Sequence, residues 1–315
     1  MNRRLVLTKL IRAIVVLLGI SFISYLLLHL APGDPARALL VATTGRAPSD
    51  AALQQMREQL GLNRPFIVQY TSWLLNCLKG DFGTSISQGK SVASLLLSRL
   101  PATAALTGLS LGMMLLIAVP VGIIAAMHQN KFLDYVLRGG TFLGISMPNF
   151  WVGLILLYVV AMKMGLVPVV SVRPTFSRLL LPAFTLAFAM SGKYARQVRA
   201  AVLEEWRQDY VMGARARGLS ELRIMVCHVL PNAMLPLITL LGLSIGSLLG
   251  GTAVVEVIFS YPALGSMALA AITAMDYPLI QGYVLWLALI YMVMNYLVDV
   301  SYRFLDPRLR QGVRS

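Results

Sequence analysis

Charged side chains are scarce in this sequence. Only 13% of its 315 residues are Asp, Glu, Lys or Arg, whereas 57% are hydrophobic. A soluble protein of this length needs far more charged surface to stay dispersed. The mean hydropathy of +0.74 indicates burial in lipid. The net charge of +14 does not indicate nucleic acid, because the basic residues form short clusters between apolar runs, as in the cytoplasmic loops of membrane proteins.

Cysteines, histidines and nucleotide-binding motifs are also few or absent. Cys77 and Cys227 fall on opposite sides of the predicted membrane, so we predict no disulfide between them. The three histidines are too scattered in that topology to form one metal site. The sequence has no G-x-x-x-x-G-K-[ST] loop for phosphates and no H-E-x-x-H pair, which argues against an ATPase and an intramembrane protease. We therefore predict no catalytic residues and no metal site in this chain.

Apolar segments long enough to cross a bilayer are abundant. The hydrocarbon core is about 30 Å thick and needs roughly 20 residues per helix. Six segments qualify or nearly do: 13–30, 104–127, 139–162, 179–192, 233–255 and 279–300. The fourth reaches full length only if its helix continues to residue 199. The expected fold is an all-α multi-pass membrane protein of about six transmembrane helices. Its Lys and Arg distribution predicts two cytoplasmic termini, and the first segment is predicted to be a retained anchor rather than a cleaved signal peptide.

This topology divides the chain into four regions. They are the cytoplasmic N-terminus with the first anchor (1–30), an external segment (31–93), a helical core (94–304) and a cytoplasmic tail (305–315). In the external segment, Ser49 or Asp50 is expected to cap a helix that ends near Leu60. In the fifth span, small residues repeat at Gly242, Gly246 and Gly250 and leave a bare helical face, which suits packing within the subunit or a dimer contact.

The polar segment 193–235 lies within the helical core and is too hydrophilic to cross the bilayer. Asp209 is predicted to cap a helix over 210–217, and Gly218 to end it in the left-handed conformation. Ser220 is predicted to cap a second helix that closes at Leu230-Pro231. Two short helices that meet at a glycine form a rigid knob suited to a partner's groove. We call this segment the docking loop.

The docking loop contains the pattern A-x3-G-x11-L-P, starting at Ala214. This pattern resembles the cytoplasmic loop of permease subunits in bacterial ATP-binding-cassette importers. That family's loop begins Glu-Ala-Ala, whereas Met212 and Gly213 stand at its first two positions here. The stretches ARARGLS, APGDPA, LGLNRP, SMPNFW and FSYPALG are similar to the dipeptide, oligopeptide and nickel branch of the family, and the resemblance covers nearly the whole chain.

The resemblance implies a type I importer permease in the bacterial inner membrane. It implies a second homologous permease, two ATPase subunits that bind ATP and Mg, an external binding protein and surrounding lipid as partners. This chain itself would bind no cofactor. ATP-driven closure would then act on the docking loop, and the residues implied in that contact are Asp209, Tyr210, Ala214, Arg215, Arg217, Gly218, Leu230 and Pro231.

Two polar residues in or beside the predicted spans are candidates for the pathway. Asn149 follows a proline within the third span, and Glu256 lies near the outer end of the fifth, where it could line the mouth or contact a docking protein. The cargo predicted from the resemblance is a small peptide or a chelated metal such as a nickel complex. A passive channel or secondary carrier without an ATPase is the alternative.

Overall fold

The computed structural model describes residues 3–31, 33–167 and 176–305. Regular structure in these ranges is helical, apart from an isolated antiparallel bridge between Thr84 and Ser91. The helices in chain order are α1 (Arg3–Leu30), α2 (Pro35–Thr44), α3 (Asp50–Gln59), α4 (Phe66–Leu78), α5 (Val92–Met127), α6 (Phe132–Ser146), α7 (Asn149–Leu156), α8 (Phe176–Trp206), α9 (Asp209–Ala216), α10 (Glu221–Ile224), α11 (Leu230–Ala233), α12 (Leu235–Gly251), α13 (Ala253–Ile258), α14 (Leu264–Thr273) and α15 (Tyr277–Leu305). Two π-helical segments, Leu157–Lys163 and Met225–Val229, follow α7 and α10. Most of the predicted tail lies outside the described residues.

Among the described helices, three are long and apolar enough to cross a membrane. They are Ile11–Leu30 of α1, Val92–Met127 and Tyr277–Val298 of α15. Counting Phe132–Ser146 and Asn149–Lys163 as one bent span gives a fourth. The all-α prediction is thus confirmed, and three or four of the six predicted spans meet these criteria of length and composition.

The predicted third span is not a straight helix. Its two halves meet at an angle of 99°. The break falls at Met147 and Pro148, whose ψ angles of 127° and 137° are extended rather than helical. Proline disfavours the helical conformation in the residue before it and cannot donate a backbone hydrogen bond, so the ladder stops there. The fifth predicted span is also divided, because α12 ends at Gly251 and α13 starts at Ala253.

The chain folds into two compact units. The first comprises Met1–Ala102 with Pro262–Val293, and the second Thr103–Tyr261 with Met294–Ser315. In the first unit, aromatic rings hold α4 against α1: Phe22 lies 5.3 Å from Tyr70, and Tyr25 lies 5.3 Å from Trp73, centroid to centroid. Such edge and tilted ring contacts add stability beyond the apolar area that they bury.

A buried carboxylate holds part of residues 31–93, the segment predicted to be external, in the first unit. Asp276, directly before α15, accepts hydrogen bonds from the hydroxyls of Ser85 (2.6 Å) and Ser87 (2.7 Å) and from the Ser87 backbone N–H (2.9 Å). Burial alone would raise the pKa of Asp276, but these hydrogen bonds outweigh it and hold the pKa below 3.8. Earlier in this segment, Ser49 caps α3 by accepting from Ala52 N–H, as predicted.

Helix α8 runs through the second unit and packs closely against its neighbours. A Cβ added at Gly122 of α5 would lie 2.8 Å from the carbonyl oxygen of Ala195, and one added at Gly192 would lie 2.5 Å from that of Thr141 in α6. The small residues therefore let backbones approach. Helix α8 continues unbroken to Trp206, so the first part of the predicted docking loop is the end of this helix. From here on, the name docking loop is kept for residues 207–235, which follow α8.

Candidate functional site: the docking loop

The first helix of the docking loop, α9, begins one residue earlier than predicted. Gln208 has the extended conformation of an N-cap, without a side-chain cap hydrogen bond, and Asp209 is already in the first helical turn. The prediction that Asp209 caps the helix is therefore wrong. Its carboxylate nevertheless stabilises the helix, because a negative charge in the first turn interacts favourably with the helix dipole.

Gly218 ends α9 in the left-handed conformation, as predicted, with φ +77°. The Gly218 N–H donates to the carbonyl of Arg215 (2.9 Å), and the Leu219 N–H to that of Ala214 (3.3 Å). These two bonds form a Schellman motif, in which both carbonyls left free at the helix end are satisfied. The side chain of Leu219 then packs against the cluster that contains Ala214. The glycine corner is thus a defined structure and not a loose turn.

Arg215, which is partly exposed to solvent, stabilises this corner through contacts with three helices. Its Nε donates to Glu221 Oε1 (2.8 Å) and its Nη2 to Glu221 Oε2 (3.2 Å), while its guanidinium lies 5.2 Å from the centre of the Trp206 ring. One side chain therefore joins the end of α8, the end of α9 and the start of α10. Arg217 makes a local contact instead, with its Nε 3.3 Å from the carbonyl oxygen of Gly213.

The second helix of the loop starts after Ser220, as predicted, but ends later than predicted. Ser220 occupies the N-cap position without a side-chain cap hydrogen bond. The predicted stop at Leu230-Pro231 is wrong, because the chain passes from α10 through the π-helical segment into α11 and leaves the helix only after Ala233. Proline is tolerated at Pro231 because it lies in the first turn of α11, where a missing N–H matters least.

The inner face of the docking loop is apolar and packs on α8. Ala214, 1% exposed, and Val211 from α9 join Ile224 of the second helix against Val198 and Val202 of α8. Ala214 is therefore a core residue, which lets α9 lie close to α8, and it does not present a side chain to a partner. Leu230 is half-buried and Pro231 is exposed.

The comparisons with known proteins agree with this geometry. Residues 118–311 match the family described as the binding-protein-dependent transport system inner membrane component, and residues 1–107 match the N-terminal region of such membrane components. The chain belongs to this family. It is an inner-membrane permease subunit of an ATP-binding-cassette importer. A passive channel or a secondary carrier is thereby excluded, and ATP hydrolysis belongs to partner subunits.

Two curated relatives align with this permease over nearly its whole length. The probable D,D-dipeptide transport system permease protein DdpB of Escherichia coli (strain K12) is 36% identical and covers 95% of each chain. The oligopeptide transport system permease protein AppB of Bacillus subtilis (strain 168) is 38% identical, covering 96% of this chain and 98% of the relative. The fold is similar to that of a solved chain of the MetNI methionine ABC transporter in an inward-facing conformation, with a TM-score of 0.56. The match covers 67% of this permease and 96% of that chain at 19% sequence identity, so it shows a likeness of fold alone.

The outer face of the docking loop carries apolar side chains that the sequence reasoning missed. Met212 is 65% exposed, Leu222 68% and Val226 53%. The helical period of α9 could have indicated the first of these residues. Val211 and Ala214 are three residues apart and face inward, so Met212, which follows Val211, faces solvent. Tyr210 of α9 is 37% exposed, and its hydroxyl donates to Glu205 Oε2 (2.7 Å). Partial burial and this hydrogen bond raise the pKa of Tyr210 to about 12.

The two candidate pathway residues lie on helices that contact each other. Asn149 is the first residue of α7, directly after the break, and is exposed. Glu256 of α13 is fully buried, and the Thr252 hydroxyl donates to its Oε1 (2.6 Å). The two helices touch where Gly153 faces the Phe259 ring, 3.3 Å from an added Cβ. In this conformation Glu256 is therefore shielded from solvent.

Proposed function

We propose that this permease imports small peptides, in a complex with a second homologous permease, two ATPases and an external binding protein. The observation that supports the coupling is the docking corner: two helices fixed at Gly218, braced by Arg215, and presenting the apolar side chains of Met212 and Leu222 to solvent. Exposed apolar side chains on a rigid corner suit insertion into a partner's groove. The named functions of the two curated relatives support peptides as the cargo.

In the proposed topology six helices cross the membrane and both termini are cytoplasmic. Helix α8 and helix α12 with α13 would provide the spans that length and composition alone do not identify. The burial of α8 among its neighbours supports its place inside a bundle, because a helix surrounded by protein can carry polar residues that lipid would exclude. Residues 31–93 would then be external, residues 94–304 the core, and 305–315 the cytoplasmic tail.

We assign Asn149 to the pathway within this proposal. It lies at the start of α7, where the hydrogen-bond ladder restarts with the N–H of Trp151 donating to the Pro148 carbonyl oxygen (3.0 Å). Free N–H groups at the start of a half-helix within a membrane favour negatively charged groups such as a peptide carboxylate. Glu256 would contribute only in a conformation that exposes it.

Uptake by a deletion strain tests the cargo. We expect loss of labelled di- and oligopeptide uptake, restored by the wild-type gene and not by the Gly218→Asp variant. The same strain receives labelled nickel alone and with histidine or opine-type chelators. Peptide uptake that persists, together with lost nickel uptake in the presence of a chelator only, would refute the peptide assignment and make this a metal-chelate permease.

A further inference from the structure

One ion pair of the second unit, between a fully buried carboxylate and a partly buried guanidinium, has no place in the function described so far. Asp134, in the first turn of α6, has no exposed surface. Both of its carboxylate oxygens accept from Arg199 of α8, at 2.8 Å from Nε and 2.7 Å from Nη2. A third bond comes from the backbone N–H of Asn130 (3.1 Å). Bidentate contacts between a guanidinium and a carboxylate fix geometry more strictly than single hydrogen bonds do.

The ion pair sets the register of two antiparallel helices. Thr141 lies seven residues after Asp134, and Gly192 lies seven residues before Arg199. Thr141 and Gly192 are themselves in contact, since a Cβ on Gly192 would lie 2.5 Å from the Thr141 carbonyl oxygen. At 1.5 Å per residue the two contacts are about 10 Å apart along the helices. The α6–α8 interface is therefore fixed at two levels, by close backbone packing and by charge.

The pair also lies between the docking loop and the broken span. The docking loop packs on Val198 and Val202, which flank Arg199 on α8, so a displacement of the loop moves this part of the helix. Helix α6 leads directly to the 99° break at Met147 and Pro148. Apolar contacts alone have little directional preference, whereas a bidentate pair resists sliding of one helix past the other.

We propose that Asp134 and Arg199 make α6 follow the docking loop, so that ATP-driven movement of the loop reaches the broken span. The pair acts as a positioning element and contacts no cargo. This inference rests on the proposed coupling to ATPases, and it does not depend on which cargo is carried.

The test compares Asp134→Asn, Arg199→Gln and the double variant in the assembled transporter. Asp134→Asn leaves the partly buried Arg199 guanidinium without its carboxylate, and Arg199→Gln leaves the buried Asp134 with only the weaker electrostatic effect of Arg138. A buried charge that has lost its partner is destabilising, whereas neutralising both residues relieves this. We expect the single variants to lower the thermal stability of the complex and the double variant to recover it. Uptake per ATP hydrolysed should fall by about tenfold in all three, within the range of coupling between distant sites. Recovery of uptake per ATP together with stability in the double variant would overturn the proposal, because the pair would then matter for stability alone.

A second measurement requires no cargo. Spin labels at the native Cys227, in the docking loop, and at Phe142→Cys, an exposed position on α6, report the distance between the two elements in a Cys77→Ala background. We expect ATP with vanadate to leave this distance unchanged in the wild type and to shift or broaden it when Asp134→Asn is present. The same unchanged distance in both proteins would refute the proposal. If no peptide is transported by the wild type, the proposed cargo fails and this distance measurement still applies.

A matched control uses an Asp–Arg pair of the first unit with the same N–O distance. Arg57 Nη2 lies 2.7 Å from Asp34 Oδ2 in the external segment, and the Arg57 side chain is 45% exposed. Neutralising Asp34 and Arg57 together should leave uptake per ATP within about twofold of the wild type, because exposed pairs contribute little. An equal loss in this control would show that the effect is not specific to the α6–α8 pair, and would overturn the proposal.

Discussion

The φ angle of Gly218 leads to a graded prediction for substitutions at the docking corner. With φ at +77°, any side chain must adopt the left-handed region, yet a Cβ at this position meets nothing within 4 Å. The cost is therefore one of backbone conformation and not of collision. We expect about 1–2 kcal/mol for Gly218→Ala, less for Gly218→Asn because Asn tolerates this region, and more for the β-branched Gly218→Val.

That cost should appear in the affinity for the ATPase. If the loop binds only with its corner formed, a cost of 1–2 kcal/mol weakens binding by roughly 5–30-fold. Titration of purified ATPase against the permease in nanodiscs measures this Kd. Gly218→Asp should bind more weakly than the isosteric Asn variant, because its charge lies at the negative end of the α9 dipole.

Gly213 provides the control for this series. It lies within α9, and a Cβ there also meets nothing within 4 Å. Gly213→Ala should therefore stabilise the helix by about 1 kcal/mol, and its ATPase affinity should not fall. Equal weakening by Asn, Ala and Val at Gly218 would refute the argument from backbone conformation, since their energies in the left-handed region differ.

Three further expectations concern other parts of the molecule. Gly192→Ala should destabilise the complex by about 1–3 kcal/mol through overpacking, because its Cβ would lie 2.5 Å from a carbonyl oxygen of α6; an unchanged melting temperature would contradict this. Maleimide should label the exposed Cys227 and leave the buried Cys77 unmodified until the protein is denatured. Burial, together with a smaller effect of nearby Asp81, raises the pKa of the Cys77 thiol to about 12; labelling of Cys77 in the folded protein would contradict this expectation. Asp276→Asn should lower stability by about 2 kcal/mol. The pKa of Asp276 is lowered in the folded protein, where hydrogen bonds from Ser85 and Ser87 outweigh the effect of burial. Its contribution to stability is therefore complete above the unfolded-state pKa and is lost only as the pH falls through the folded-state value. The difference from the wild type should therefore be constant between about pH 5 and pH 8, and a strong pH dependence in that range would contradict the reasoning.

Local chemistry made part of the docking loop predictable from sequence. Gly218 was predicted correctly because only glycine takes a positive φ at little cost. The predicted start of α9 was one residue too late. Aspartate is favoured both at the N-cap and in the first helical turn, so an aspartate alone does not show which of these positions it occupies. The stop at Leu230-Pro231 failed because a helix can restart with proline in its first turn, here after a π-helical segment.

Contacts between residues far apart in the sequence could not be predicted from local sequence patterns. Asp134 and its partner Arg199 are 65 residues apart. The sequence around each residue does not indicate the other as its partner. The break after Met147 has such a signal in Pro148, but a proline within a span is compatible with a gentle kink as well as a 99° bend. The docking role of Asp209, Tyr210, Arg215 and the rest of the predicted set stays a prediction.

The internal contacts of Arg215 change what this residue can do at an ATPase interface. A guanidinium that already holds Glu221 in two hydrogen bonds and lies on the Trp206 ring has little left to offer a partner without losing those contacts. We propose that Arg215 contributes rigidity instead: its contacts would keep α9 and α10 together at the glycine, so that a force on the exposed apolar side chains would move the whole loop. Rigidity there is useful only if the next contact along the chain is equally firm. The Arg215–Glu221 pair is exposed to water and screened by salt, whereas the Asp134–Arg199 pair has a fully buried carboxylate and a guanidinium that is only 19% exposed, so salt screens it less. In the proposed coupling, the better shielded ion pair lies between α6 and α8, where movement would be transmitted. The more exposed pair lies at the surface, where a bound ATPase would exclude water and strengthen it.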